Sequence, residues 1–365
     1  MKRGSMKRWI GVILAAVLAG VAVVAIVTGN QGDDGPGVAV VRGVIGSEKK
    51  PFFDDPRVQA AFAKHGLRVE VDTAGSRQIV TDVDLSRYAF AFPSSVPAAE
   101  RIKRDRKATI TYSPFYSPMA VATFEPIAEL LVKAGVLSNS DKGHQTLDIK
   151  KYLDLVAKGT RWDEIPDNTA YKARKRVLLT TTDIRTSNSA AMYLSVIGYV
   201  ANGEDVITSA GQVAKIAPVL APAVLDQGFS ESTSEASFDD YLALGAGKTP
   251  MLVVYEAQYL AHVFAADGAI KPGMRLVYPS PTVLSKHTLV PLSGNGGRVG
   301  ELLTKDPELQ SLAAQFGFRT TDPQAFAGLV ARTRAPAAAD LVDVVEPPTY
   351  ERLDELITTI DAARP

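Results

Sequence analysis

Residues 176–192 read Arg-Val-Leu-Leu-Thr-Thr-Thr-Asp-Ile-Arg-Thr-Ser-Asn-Ser-Ala-Ala-Met. Val177–Thr182 is β-branched and apolar, the composition of a buried strand. After a turn at Asp183–Arg185, the residues Thr186, Ser187, Asn188 and Ser189 stand just ahead of a small-residue helix. A strand feeding a Ser/Asn-rich helix start brings hydroxyls, free backbone N–H groups and the positive end of the helix dipole to one point. Such a point holds anionic or polar groups without a charged side chain. Taken alone, Ser187 or Ser189 is simply a helix cap. Comparable Ser-bearing loops elsewhere in the chain turn the reading toward a ligand site.

Those loops follow short strands. Val38–Ile45 predicts a strand that ends at the loop Gly46–Phe53, which carries Ser47. Asp55-Pro56 opens a helix with a capping residue and a first-position proline, and Gly66 closes it. Leu67–Val71 predicts a second strand, running into Gly75, Ser76 and Arg77. Tyr88–Phe92 reads as a third, followed by Ser94, Ser95 and a helix from about Pro97; Ala108–Tyr112 reads as a fourth. The alternation favours a largely parallel sheet with helices on both faces.

Further along, Met119–Thr123, Met251–Tyr255, Met274–Tyr278 and His287–Leu292 read as strands. Pro126–Ala134, Leu147–Ala157 and Glu256–Phe264 read as helices, Asp306-Pro307 opens another, and a last helix sets Leu353, Leu356, Ile357 and Ile360 at core spacing. Residues 204–228 carry helical spacing that Pro218 and Pro222 interrupt. Proline-stiffened segments near residues 113–118 and 279–285 bracket a middle block. The two flanks then form one lobe and the block another, joined by two crossings that serve as a hinge.

The chain has 365 residues, 46% hydrophobic and 22% charged, enough for two medium domains with real cores. Forty basic and forty acidic side chains cancel, so the charge balance gives no footprint for nucleic acid. The absence of cysteine excludes disulfides, thiolate catalysis, Cys-based zinc sites and lipid attachment at a mature N-terminal Cys. Lys2, Arg3, Lys7 and Arg8 precede an unbroken apolar run, Trp9–Val27, and a polar linker, Thr28–Gly37. This predicts an uncleaved signal anchor in the cell membrane, with the functional part outside the cytoplasm; a cleaved signal peptide is the alternative.

Enzyme chemistry finds little purchase. His65, His144, His262 and His287 have no metal-ligand spacing, and no cofactor motif is complete. Ser47-Glu48-Lys49-Lys50 matches Ser-x-x-Lys without its partner motifs and reads as chance. Gly247-Lys248-Thr249 ends like a phosphate loop but has Leu242 where the first glycine belongs. The basic run Glu100–Lys107 is a solvated helix end or a docking patch.

The order of these segments resembles the type 2 periplasmic (extracellular) solute-binding proteins of ABC importers, closest to the molybdate/sulfate-type oxyanion branch. The resemblance covers most of residues 38–318 and rests on Gly46-Ser47, Gly75-Ser76, Tyr112-Ser113-Pro114 with Met119–Thr123, and Thr182-Asp183 with Thr186–Ser189. Val253–Glu256, Leu276–Pro279 and Leu309–Arg319 complete it. Ile184 stands where the family usually has proline, Ala190 where it often has glycine, and residues 320–365 extend beyond the minimal fold.

The resemblance implies an α/β fold of two lobes, each a mostly parallel sheet flanked by helices. Residues 1–37 would form the anchor and linker, 38–115 the first part of lobe I and 116–284 lobe II. Residues 285–365 would be the return to lobe I with a C-terminal extension. It implies that Ser47 and Ser76 face Ser187, Asn188 and Ser189 across a cleft, with Ser94, Ser113 and Tyr255 as further contacts. Arg77 would bond an anionic ligand or, as readily, form a surface ion pair. Glu256 and Asp183, if they line the cleft, point instead to a cation. The implied function is capture of a small polar or anionic solute by hinge closure, without cofactor or catalysis, for an ABC permease. A membrane-tethered interaction or sensing module of an envelope complex is the alternative.

Overall fold

The computed structural model describes residues 38–139, 144–228, 230–339, 341 and 343–364. The expected signal anchor and linker, residues 1–37, lie outside them. Among the described residues no helix is long and apolar enough to cross a membrane.

In chain order, β1 (Ala39–Ile45) ends in one 3-10 turn, Ser47–Lys49, that runs into α1 (Lys50–Asp54) and α2 (Pro56–Lys64). Then come β2 (Leu67–Thr73), α3 (Ser76–Thr81), β3 (Phe90–Phe92) and α4 (Val96–Arg106). The long β4 (Tyr112–Phe124) is followed by α5 (Glu125–Lys133), β5 (Leu137–Asn139), β6 (Gln145–Asp148) and α6 (Ile149–Ala157). The middle of the chain supplies α7 (Asn188–Ala201), α8 (Ala210–Leu225), α9 (Ser234–Leu244), β7 (Met251–Tyr255) and α10 (Glu256–Ala265). A cis Ser280–Pro281 peptide joins β8 (Met274–Ser280) to β9 (Thr282–Pro291). The last elements are α11 (Gly294–Lys305), α12 (Pro307–Gln315), β10 (Arg319–Thr320), α13 (Pro323–Thr333), β11 (Val344–Val345) and α14 (Tyr350–Asp361).

The two Asp-Pro helix starts work as their residues dictate. The Asp55 carboxylate accepts from Arg57 N–H ahead of α2, and Asp306 accepts from Glu308 and Leu309 N–H ahead of α12.

The strands form one sheet in the order β2, β1, β3, β9, β4, β8, β6, β5, with β7 and β10 also beside β4 and β11 beside β9. β1 lies parallel to β2 and β3, as the alternation predicts. Beyond them the sheet is mixed and not mostly parallel: β6 lies parallel to β8 and β11 to β9, while β4 runs antiparallel to β7, β8 and β9. A single strand does this because β4 is continuous through both expected segments, 113–118 and 119–123. Its first half pairs β9 and its second half pairs β7 and β8.

Three further expectations are corrected. Ala108–Tyr112 is not a strand; only Tyr112 joins β4. The loops at Ser47 and Ser76 are helical from those residues onward. Val177–Thr182 is buried and extended but makes no ladder beyond the isolated Thr180–Leu252 bridge. Its N–H groups go elsewhere: Val177 to the Thr160 carbonyl, Leu179 to Tyr152 Oη and Thr181 to Gln227 Oε1. A buried segment needs its backbone satisfied, and side chains serve as well as a strand.

Apolar clusters flank the sheet. One packs Phe52, Phe53, Phe62, Phe90 and Phe92 around β1 and β3. Another gathers α5–α8 and Leu353, Leu356, Ile357 and Ile360 of α14 around β4 and β7. A third joins Phe238 and Tyr241 to β7, β8 and Phe326 of α13.

Candidate functional site

Between the β1–β3 end of the sheet and the α7–α10 end lies a cavity of about 10 Å³, room for one water molecule. Its lining joins helix starts from both ends. Ser47 opens the turn after β1, Ser76 opens α3, and Ser94 lies two residues before α4. Opposite them, Ser187 caps α7 and Asn188 is its first residue, Thr233 and Ser234 start α9, and Tyr255 precedes α10. Helix starts and their positive dipole ends thus gather at the same small volume, although in α9 the Ala236 N–H is already taken by Thr233 Oγ1.

The two sides touch directly. Asn188 Nδ2 donates to the Ser94 carbonyl at 3.1 Å and to Tyr255 Oη at 3.0 Å. Gly75 is needed here, because a Cβ on it would stand 2.1 Å from the Thr186 carbonyl oxygen. Within the β1–β3 side, Ser76 Oγ accepts from Ser94 N–H at 2.9 Å and fixes the α3–α4 spacing.

Beneath the cavity sits a buried ionic cluster. Lys49, fully buried, directs its ammonium to Glu48 at 2.5 Å, Ser94 Oγ at 2.8 Å and His287 Nδ1 at 3.1 Å. Its three protons thus have three acceptors. Glu48 also accepts from Ser94 Oγ. Burial works against the Glu48 charge, but the Lys49 ammonium outweighs it and holds the carboxyl well below the usual range. Burial first, and Lys49 second, push His287 down to about 4, so its imidazole is neutral at physiological pH. Burial and the Glu48 charge push the Tyr255 phenol well up, leaving it a hydrogen-bonding hydroxyl.

The structure brings six of the sequence-derived residues together: Ser47, Ser76, Ser94, Ser187, Asn188 and Tyr255. The others lie outside the lining. Ser189 sits behind Ser187, bonded to it at 3.1 Å and to Thr182 at 2.7 Å. Ser113 bonds Thr288 Oγ1 at 2.9 Å on β9. Arg77 pairs with Asp354 of α14 and donates to the Arg185 carbonyl at 3.2 Å, the ion-pair alternative of its reading. Glu256 accepts from Arg319 at 2.7 Å and from the Tyr278 hydroxyl, and Asp183 pairs with Arg185.

Sequence reasoning missed Glu48, Lys49 and the start of α9. Ser230–Glu235 reads Ser-Glu-Ser-Thr-Ser-Glu, the hydroxyl-rich helix start sought at residues 186–189, and that signal was available. Among the described residues no group of side chains has the arrangement of a metal site.

No protein-family model matches the sequence, and no curated protein matches it. Solved structures do. The periplasmic binding protein AfuA from Actinobacillus pleuropneumoniae, with fructose-6-phosphate bound, superposes with a TM-score of 0.54 at 11% identity, over 88% of this chain and 96% of that one. A putative phosphate ABC transporter substrate-binding protein from Clostridium perfringens, with bound phosphate, gives 0.51 at 11% identity, over 78% and 100%. The sulfate-binding protein SubI from Mycobacterium tuberculosis gives 0.50 at 14%, over 82% and 93%. The chain has the α/β fold of the periplasmic substrate-binding proteins of ABC transporters, the type 2 class its sequence resembles.

Proposed function

We propose that this protein captures a small polar or anionic solute between two lobes, one built on β1–β3 and one on α5–α10, that close about β4 and the β8–β9 strand pair. One observation carries the reading: helix starts bearing Ser47, Ser76 and Ser94 meet those bearing Ser187, Asn188 and Ser234 at one cavity. Hydroxyls and helix dipoles aimed at one point favour an anion or a strongly polar group. The names of structurally similar proteins, binders of sulfate and of phosphate, agree with that chemistry.

Closure here is a population shift. The Asn188–Ser94 contact and the Gly75–Thr186 approach close the two sides on a space for one water, so a solute would enter an opened form and then hold the sides together by bridging them. We further propose that residues 9–27 tether the chain with its globular part outside the cytoplasm, where an ABC permease would receive the solute. A cavity the size of one water favours a second reading, an envelope interaction module that keeps the fold without transport.

Thermal unfolding of the full-length chain with sulfate, phosphate, amino acids and sugars tests the proposal. A true ligand at 100 times its Kd adds about 2.7 kcal/mol, a rise of several degrees. Ser76→Ala with Ser187→Ala should abolish that rise. Flat melting curves across all classes would favour the module.

A further inference from the structure

β1 runs toward the cavity, so its first residue, Ala39, lies at the opposite end of the strand, where its N–H donates to the Gly66 carbonyl at 2.9 Å. Neighbouring segments are bonded together at this end. Ala89 N–H donates to the Arg42 carbonyl at 2.7 Å, and the Leu292 and Ser293 N–H groups share the Ala89 carbonyl at 2.8 and 3.1 Å. Arg298 of α11 reaches the His65 carbonyl at 2.9 Å, next to Gly66. Tyr88, Leu292 and residues 106–110 after α4 line a hollow of about 430 Å³ here. Residues 108–111 join no strand, Ile110 is 50% exposed and Val40 of β1 is 43% exposed.

The charges at this end do not cancel. Arg101 and Arg104 of the basic run are taken by Glu351, but Arg106, Lys107, Arg87 and Arg298 are exposed and have no ion pair among the described residues. Asp72 is committed to Arg42 and the Tyr88 hydroxyl. Asp84, in the field of Arg87 and Arg106, and Asp306, which bonds His65, offset two of the four cations. The patch stays positive, with apolar side chains exposed beside it.

We infer that this end of the β1–β3 side rests on an anionic lipid surface, with Arg87, Arg106 and Lys107 on the headgroups and Ile110 at their boundary. The inference rests on residues 9–27 serving as the membrane tether. Ten residues, 28–37, separate that run from Val38 and span at most about 35 Å. A tether of that reach keeps the end bearing Ala39 near the bilayer, where contacts too weak to hold a free protein become effective. Each basic residue close to an anionic leaflet then favours the contact about fivefold.

The chain has no cysteine, so Ile110→Cys and Leu244→Cys can each carry a single environment-sensitive fluorophore. Leu244 is an exposed control at the far end of α9, across the cavity. The labelled full-length chain is reconstituted in vesicles of phosphatidylcholine, with and without phosphatidylglycerol. Emission at position 110 should shift to the blue with phosphatidylglycerol and revert in high salt, while position 244 stays unchanged. Arg87→Gln, Arg106→Gln and Lys107→Asn together should abolish the shift; Asn tolerates the left-handed backbone at 107, where φ is 55°. Flotation of the vesicles reports the tether separately. A chain that floats with neutral vesicles while its 110 label ignores lipid charge keeps the tether and overturns the lipid-facing surface. A shift that survives the triple variant also overturns it. Flotation with anionic vesicles alone, lost in the triple variant, would support the surface and overturn the tether. A label silent in vesicles yet shielded in native membranes would give this face to a protein partner instead.

Discussion

Lys49 lies wholly inside the protein because three acceptors surround its ammonium, and Glu48 beside it keeps the pair neutral. Removing one member of such a pair costs more than the pair is worth, since the other charge stays buried. Glu48→Gln should therefore destabilise the chain by about 3–5 kcal/mol in denaturant unfolding. His287 gives a second, pH-dependent signature. Its folded pKa of about 4 lies below the ordinary 6.5, so the neutral imidazole contributes stability that is fully present above pH 6.5. That contribution is lost as pH falls through about 4, and amounts to about 3 kcal/mol over the window. His287→Gln should flatten the stability profile between pH 6.5 and 4; an unchanged profile would place the acid sensitivity elsewhere. None of this was legible in the sequence, where Ser47-Glu48-Lys49-Lys50 looks like a chance match and His287 is one of four scattered histidines without metal-ligand spacing. Burial of a Glu-Lys neighbour pair depends on β9 arriving from residues 282–291, and local pattern carries no trace of it.

At the scale of elements, helix starts were the readable feature. The hydroxyl-rich segments at Ser76, Ser94 and Ser187–Asn188 all stand at helix starts at the cavity: Ser187 at the cap position of α7, Ser76 and Asn188 as first residues, and Ser94 just before the cap of α4, with no side-chain cap bond in any of the three helices. Strand identity was less readable. Val177–Thr182 has strand composition, yet Tyr152, Gln227 and Thr160 take its N–H groups. Pro218 and Pro222 read as interruptions but lie within a continuous α8. That helix is held by packing of Val213, Ile216, Leu220 and Ala223 in the core, which offsets the lost backbone bonds. The approach of α3 to the turn before α7 hinges on one glycine. Gly75→Val places atoms inside the Thr186 carbonyl, so the sides must part. Overpacking of this kind costs about 1–3 kcal/mol. The variant should also protect the Asn188 region less in hydrogen exchange; unchanged protection would mean the contact yields locally.

The whole molecule is tied together by its C-terminal helix, which lies beyond the minimal fold that the sequence resembles. Leu353, Leu356, Ile357 and Ile360 of α14 are buried in the same core as α7 and α8. Its other face meets the β1–β3 side through charge: Asp354 pairs with Arg77 of α3, and Glu351 with Arg104 and Arg101 of α4. The Arg77 and Arg101 guanidinium groups also lie 5.5 and 5.7 Å from the Tyr350 ring centroid. Thus α14 is anchored to one side by apolar burial and latched to the other by ion pairs, which gives Arg101 and Arg104 of the basic run a partner within the chain. The two kinds of contact differ in strength, and so do the consequences of breaking them. Leu356→Ala should cost about 2–5 kcal/mol of global stability. Glu351→Gln with Asp354→Asn removes partly exposed pairs worth about 0.2–1 kcal/mol each, so the melting temperature should move little. The same loss falls wholly on the closed arrangement, and about 1 kcal/mol changes a two-state ratio roughly fivefold. Small-angle scattering should therefore show a larger radius of gyration for the double variant, and for the unaltered chain as ionic strength screens the pairs. A radius indifferent to both would mean that α14 packs on one side only and that its ion pairs do not hold the two sides together.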